Sequence, residues 1–321
     1  MVKKIAVLTS GGDAPGMNGA VRAVVRGAFS MGIVPVCVNN GYSGLINGDF
    51  LETDLRTVSD VIHRGGTFLH TARCPEFRTE EGMQKAIDTC RKNGIEGVVV
   101  VGGDGSFRGA QDLSRRGLPC VGVPGTIDND IACSDYTIGF DTAMNTCLEL
   151  IDRLRDTSQS HNRCNVVEVM GRHAGHIALN VGIAVGATGI LVPEVPYDLQ
   201  EDVLNRIART QATGKKHFIF VVAEGVGHVN SLAKEIEELT GIETRATILG
   251  HVQRGGRPTL RDRVMGSELG YAAIKLLAEG KSNRVVASKN GAIVDYDIEE
   301  ALAMTKGLDM EKYNMAMNIS M

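Results

Sequence analysis

Two glycine-rich acidic segments, each at the end of an apolar run, constrain this chain most. Gly102-Gly103-Asp104-Gly105-Ser106 follows the run from Val98 to Val101, and Gly125-Thr126-Ile127-Asp128-Asn129-Asp130 follows Cys120 to Val123. Short apolar runs bounded by glycine read as strands buried on both faces, as in a parallel sheet. Each strand then delivers its loop to the carboxyl edge of the sheet, where open α/β folds bind ligands. Glycines leave room for a phosphate against the backbone. Carboxylates hold a hard cation or accept a proton. Together they supply what moving a phosphoryl group requires.

The rest of the chain repeats the alternation. Strands are expected at 4–9, 34–38, 97–101, 119–123, 165–169, 189–192, 217–223, 244–248 and 284–288. Helices are expected at 17–30, 79–92, 106–114, 139–156, 174–184, 198–211, 228–239, 259–279 and 297–304. Such βαβ units imply a mainly parallel sheet. A chain of 321 residues has room for two domains around two cores, although no Pro/Gly/Ser-rich linker separates halves. With no tryptophan and 4% aromatic residues, those cores must be aliphatic.

Seven cysteines without a C-x-x-C pair suggest a reducing cytoplasm and neither a structural disulfide nor a zinc site. No apolar run reaches the roughly 20 residues needed to span a bilayer. Met1-Val2-Lys3-Lys4-Ile5 leads into a strand rather than a signal peptide, so a soluble cytoplasmic protein is expected. A net charge of −4 argues against nonspecific nucleic-acid binding. Basic residues are nevertheless locally dense: Arg153, Arg155, His161, Arg163, Arg172 and His173, then Arg245, His251, Arg254, Arg257, Arg261 and Arg263. They suit either a small anionic ligand or solvated surfaces.

The first expected strand ends in Thr9-Ser10-Gly11-Gly12-Asp13-Ala14-Pro15-Gly16-Met17-Asn18, which is neither a Walker A loop nor G-x-G-x-x-G. Its glycine pair makes either a phosphate approach or a simple turn. Asp104 either reaches a magnesium ion bridging nucleotide phosphates or caps the helix that follows. Asp128 and Asp130, two residues apart, share a face if the segment is extended. Asp128 then accepts a hydroxyl proton while Asp130 supports the site electrostatically or through the cation.

With these segments in view, the chain resembles the ATP-dependent 6-phosphofructokinases of the bacterial, allosterically regulated type. The likeness runs through Gly11 to Asn18, Arg64-Gly65-Gly66-Thr67, Gly102 to Ser106, Pro124 to Asp130, Met170-Gly171-Arg172, Glu243-Thr244-Arg245 and Gly250-His251-Val252-Gln253-Arg254-Gly255-Gly256. It implies two three-layer α/β/α domains with mainly parallel sheets and an active site in the cleft between them. Residues 1–138 plus 252–305 would form the larger, ATP-binding domain, and 139–251 plus 306–321 the smaller, fructose 6-phosphate-binding one. The resemblance assigns Gly12, Arg73, Cys74, Gly103, Asp104, Gly105 and Ser106 to ATP, with Asp104 on magnesium. Asp128 matches the general base, Arg172 the group offsetting charge on the transferred phosphoryl, and Thr126 a hydrogen-bonding neighbour. Ile127, Met170, Gly171 and Glu224 match sugar-contacting positions. Arg163, Arg245, His251 and Arg254 match the 6-phosphate pocket, with Arg163 and Arg245 reaching in from a neighbouring subunit of a homotetramer.

Pyrophosphate-using relatives carry Asp in place of Gly105 and Lys in place of Gly125, so the two glycines are expected to leave open space for a nucleotide. For an ADP or phosphoenolpyruvate effector, Arg22, Arg26, Arg155 and Lys215 match phosphate contacts; Arg22 and Arg26 also suit a solvated helix face. Thr188 and Thr213 stand where the family carries Glu and Lys, and the match is one residue out of step around Arg56. An effector pocket with a diminished response is therefore expected. The rival readings are a pyrophosphate-dependent or other sugar-phosphate kinase of the same fold, and a non-catalytic sugar-phosphate sensor.

Overall fold

The computed structural model describes residues 2–320 and divides them into two compact units. The first runs to Ile127 and adds Ile131–Thr142 and Arg254–Lys306; the second holds Asp128–Asp130, Ala143–Gln253 and the chain from Gly307 on. In chain order the elements are β1 (Lys4–Thr9), α1 (Met17–Ser30), β2 (Val34–Val38), α2 (Gly41–Asn47), β3 (Phe50–Glu52), α3 (Glu80–Lys92), β4 (Gly97–Gly102) and α4 (Asp104–Arg115). Then come β5 (Cys120–Pro124), α5 (Phe140–His161), β6 (Cys164–Val169), α6 (His176–Ala184), β7 (Gly189–Leu191), α7 (Asn205–Ala212), β8 (Phe218–Ala223) and α8 (Val229–Thr240). The chain closes with β9 (Thr244–Ile248), α9 (Leu260–Ala278), β10 (Arg284–Lys289), β11 (Ala292–Asp297), α10 (Ile298–Ala303) and α11 (Met310–Ile319).

The first unit is built on a seven-stranded sheet in the order β11-β10-β5-β4-β1-β2-β3. Its inner pairs are parallel, and only the edge strands β3 and β11 run antiparallel. Val98 and Val100 face a core with α2, α3, α4 and α10, through Leu45, Ile87, Phe107 and Ile298. On the opposite face α1 and α9 pack together. Their approach is close because Gly266 and Gly270 bring α9 onto the backbone of α1 at Gly16 and Ala20, where a β-carbon would overlap.

Asp262 at the start of α9 is fully buried, which the sequence pattern did not single out. Its carboxylate accepts hydrogen bonds from the Tyr136 hydroxyl, the backbone N–H of Gly139 and Thr142, and the Thr142 hydroxyl. Burial raises its pKa, and the four hydrogen bonds oppose that rise. Arg261 lies over the Tyr136 ring, 4.4 Å from its centroid. Thr137 in the same segment donates to the Thr126 carbonyl at 2.6 Å, and Ile138 N–H donates to Pro124 at 3.0 Å. The buried carboxylate thus braces the chain that carries the loop after β5.

The second unit has a four-stranded, all-parallel sheet in the order β7-β8-β6-β9. Cys164, Val166, Phe218, Phe220 and Val222 pack with Val203, Ile207, Leu232 and Ile236 on one face, and α6 lies on the other. Doubly buried strands explain the near-continuous apolar runs.

Candidate active site

In the first unit, three loops meet at the carboxyl edges of β1, β4 and β5. Ser10 N–H donates to Val101 and Gly125 N–H to Gly102, each at 2.9 Å, so the loops leave the sheet side by side. Gly102 has no room for a side chain, because a β-carbon would lie 2.5 Å from both Ser10 O and Ser106 Oγ. Ser106 is buried, and its carbonyl accepts from Tyr42 Oη at 2.6 Å. Helix α4 begins at Asp104, with Gly103 as an extended N-cap. Asp104 therefore sits in the first turn, two residues earlier than the expected helix start, and does not serve as the cap. The helix directs its positive end to this edge.

The space around the two glycines differs from expectation. A β-carbon on Gly105 would meet nothing within 4 Å, as the sequence suggested. Gly125, by contrast, faces Met17 and Val101, whose side chains would lie 3.0 and 3.1 Å from a β-carbon. The expectation of open space thus holds at Gly105 and fails at Gly125, because α1 packs its first residue against the end of β5.

The segment 64–71 is tied to the first loop: Thr71 Oγ1 donates to Gly11 O at 2.8 Å, and Asn18 links to Arg64 O and Phe68 N–H. Just beyond it, Arg73 is exposed and Cys74 half-buried. Arg254 lies over Gly12 and donates to Asp13 O at 3.2 Å. Within one chain its guanidinium is therefore engaged by the first loop.

The loop after β5 is not extended. Ile127 and Asp128 form a turn, and Asn129 adopts a left-handed backbone with φ 52°, which asparagine tolerates better than most residues. The two-residue repeat expected to place Asp128 and Asp130 on one face is broken: Asp128 is 6% exposed, while Asp130 is only half-buried.

In the second unit, Met170-Gly171-Arg172, Glu224 and His251 follow β6, β8 and β9 and so share the carboxyl edge of that sheet. Gly171 has φ 140°, and a side chain there would overlap the Ala174 carbonyl. Arg172 is left-handed, with φ 59°, at a cost of roughly 1–2 kcal/mol for a non-glycine residue. Its N–H donates to the Glu224 carboxylate, which helps hold the strained backbone. Glu168, one residue before the end of β6, has its pKa raised by burial and by the Glu224 charge. Sequence reasoning passed over it because it lies inside an apolar strand.

Arg163 and Arg245 stand at the opposite, amino edge. Arg163 precedes β6, and Arg245 pairs in register with Asn165. Both donate to Glu243, Arg163 at 2.7 Å, and these bonds lower the Glu243 pKa. The six residues of β6 span about 20 Å, so these arginines and Glu224 do not meet in one chain. The effector candidates form two separate pairs. On α1, Arg22 has its pKa lowered by burial and then by Arg26. At the amino edge of the second sheet, Lys215 is lowered by burial and Arg155, and His217, also missed from sequence, by burial, Lys215 and Arg155.

The phosphofructokinase family profile matches residues 4–277. The chain belongs to the phosphofructokinase family. It is 56% identical over 319 residues to the ATP-dependent 6-phosphofructokinase of Clostridium botulinum, covering 99% of this chain and all of that one. It is 54% identical, with the same coverage, to the enzyme of that name from Bacillus cytotoxicus. Among solved structures, the phosphofructokinase of Saccharomyces cerevisiae superposes with a TM-score of 0.90 at 35% identity over 99% of this chain. This chain spans about half of that yeast chain, 48%. The expected fold class of mainly parallel α/β sheets is that of these phosphofructokinases.

Proposed function

We propose that this chain transfers the γ-phosphoryl group of ATP to the 1-hydroxyl of fructose 6-phosphate, giving ADP and fructose 1,6-bisphosphate, the committing step of glycolysis. The observation that carries this reading is the placing of the Gly102–Ser106 loop beside the Gly125 loop at one sheet edge, with a buried Asp128 following. Gly12, Arg73, Cys74, Gly103, Asp104, Gly105 and Ser106 hold the nucleotide. Magnesium enters with it as MgATP. Among the described residues no group of three or more His, Cys, Asp or Glu forms a resident metal site. The Asp104 carboxylate suits an ion that brings water and phosphate oxygens of its own.

Asp128 takes the proton from the 1-hydroxyl as that oxygen bonds to the γ-phosphorus and the bond to ADP breaks. Arg172 offsets charge on the transferred group, and Thr126 hydrogen-bonds near it. Ile127, Met170, Gly171, Glu224, His251 and Arg254 bind the sugar phosphate. Arg163 and Arg245 complete its 6-phosphate pocket from a neighbouring copy in a homotetramer, a reading supported by their distance from Glu224 within one chain. A reducing cytoplasm suits the seven free thiols, and no helix among the described residues is long and apolar enough to cross a membrane.

The test is a steady-state assay of the purified protein with fructose 6-phosphate and magnesium, comparing ATP with pyrophosphate. Turnover is expected with ATP alone; turnover with pyrophosphate would overturn the donor assignment. Gly105→Asp should raise the KM for ATP at least about tenfold by placing a negative charge beside the phosphates. Its melting temperature should not move, since the position opens on free space. An unchanged KM would remove Gly105 from the nucleotide site.

Arg22, Arg26, Arg155 and Lys215 are assigned to an effector such as ADP or phosphoenolpyruvate, with a weak response. Thr188 is 2% exposed and its hydroxyl accepts from Ile219 N–H, while the Thr213 hydroxyl donates to Thr210 O. Neither offers the acid or cation carried at these positions in the family. Saturating ADP or phosphoenolpyruvate should shift the half-saturation for fructose 6-phosphate by less than about fivefold, the low end of ordinary coupling. Large shifts from both ligands would refute this.

A further inference from the structure

Gln253 is fully buried, and its side chain joins three parts of the second unit. Its Oε1 accepts from the Met170 backbone N–H at 3.0 Å and from the Cys147 thiol at 3.0 Å. Its Nε2 donates to the Gly250 carbonyl at 2.9 Å. These partners settle which way the amide points: only an oxygen can meet the Met170 N–H, and only an NH2 can meet the Gly250 carbonyl. Met170 opens the turn that holds Gly171 and the strained Arg172. Gly250 opens the helical turn Gly250–Arg254, which presents His251. Cys147 lies on α5. One side chain therefore sets the spacing of two substrate-facing turns against a helix.

We propose that Gln253 is a positioning residue for the sugar phosphate: it locks the Met170–Arg172 turn and the His251 turn at the separation that fructose 6-phosphate binding needs. Gln253 need not touch the substrate. It acts through the buried Met170 N–H, which must find a partner, and through the half-buried Gly250 carbonyl. A glutamine suits the place because it accepts and donates at once without carrying charge into the core. The Cys147 thiol is a weaker partner, and burial pushes its pKa up to about 12, so it stays a neutral donor. The assignment rests on the proposed fructose 6-phosphate kinase activity.

The test compares the full-length wild type with Gln253→Glu and Gln253→Leu, measuring both KM values, kcat and melting temperature, with fructose 6-phosphate binding followed by calorimetry. Gln253→Glu keeps the acceptor for Met170 and loses the donor for Gly250; Gln253→Leu loses both. The KM and Kd for fructose 6-phosphate should rise about tenfold or more in both variants, Gln253→Leu by losing both hydrogen bonds and Gln253→Glu by setting a carboxylate oxygen against the Gly250 carbonyl. The KM for ATP should rise by a clearly smaller factor, because the partners of the Gln253 side chain, Met170, Cys147 and Gly250, all belong to the second unit. If Gln253→Leu does not fold, the split between the two KM values in Gln253→Glu decides the matter. A lowered melting temperature with unsplit KM values would overturn the positioning role and leave a merely structural one. Absence of turnover in the wild type itself would instead remove the proposed activity, and this role with it.

Discussion

Asp128→Asn is expected to lower kcat by at least about 10²-fold, the usual scale for loss of the general base proposed here. The substitution keeps the shape of the side chain and removes its capacity to take a proton. Substrate binding should survive, so the KM for fructose 6-phosphate should stay within about threefold of the wild type. Steady-state kinetics across a range of sugar-phosphate concentrations separates the two effects. Asp128 is well suited to the role because the turn at Ile127–Asp128 and the left-handed Asn129 bury it, apart from the half-buried Asp130. Near-normal turnover in the variant would remove Asp128 from proton transfer and leave Asp130 as the acid to examine.

Asp262→Ala destabilises the fold by about 3–5 kcal/mol, because it strands the backbone N–H groups of Gly139 and Thr142 as well as two hydroxyls. For a chain of this size that corresponds to a drop in melting temperature of about 5–7 °C, readable by calorimetry. Asp262→Asn should also destabilise, since either orientation of the amide turns an NH2 toward one of those N–H groups. A hydroxyl can rotate to accept; a backbone N–H cannot. A loss of less than about 1 kcal/mol in Asp262→Ala would mean that the 136–142 segment finds other partners.

Much of this was legible beforehand because the chain announces its buried strands. Val98 to Val101 and Cys120 to Val123 are short, apolar, rich in valine and bounded by glycine or proline, as doubly covered parallel strands are, and β4 and β5 appear there. The glycines after them mark the ligand edge for the same reason. Elements with weaker periodicity escaped notice: α2, β3 and α11 are short and rely on packing rather than pattern. The β10–β11 hairpin carried a readable signal, the Asn290-Gly291 pair, both with positive φ, that two-residue hairpin turns favour.

The site shows the same division. The glycine loops and the acids Asp104, Asp128 and Asp130 could be read from residue type and spacing, because phosphate, cation and proton demand glycine and carboxylate; the other candidate residues came from the resemblance to the family. Where those side chains point could not be read. Asp128 and Asp130 part company because one left-handed residue breaks an extended repeat. Gly125 is filled by Met17 because α1 packs onto the end of β5. Asp262 and Gln253 resemble ordinary polar residues until burial gives each of them several partners. Local patterns of apolar and glycine residues carry the fold class and the ligand edge of each sheet, and the resemblance of whole motifs carries the family. Only the tertiary structure decided which polar groups are buried and what they brace, because burial depends on elements far apart in the chain coming together.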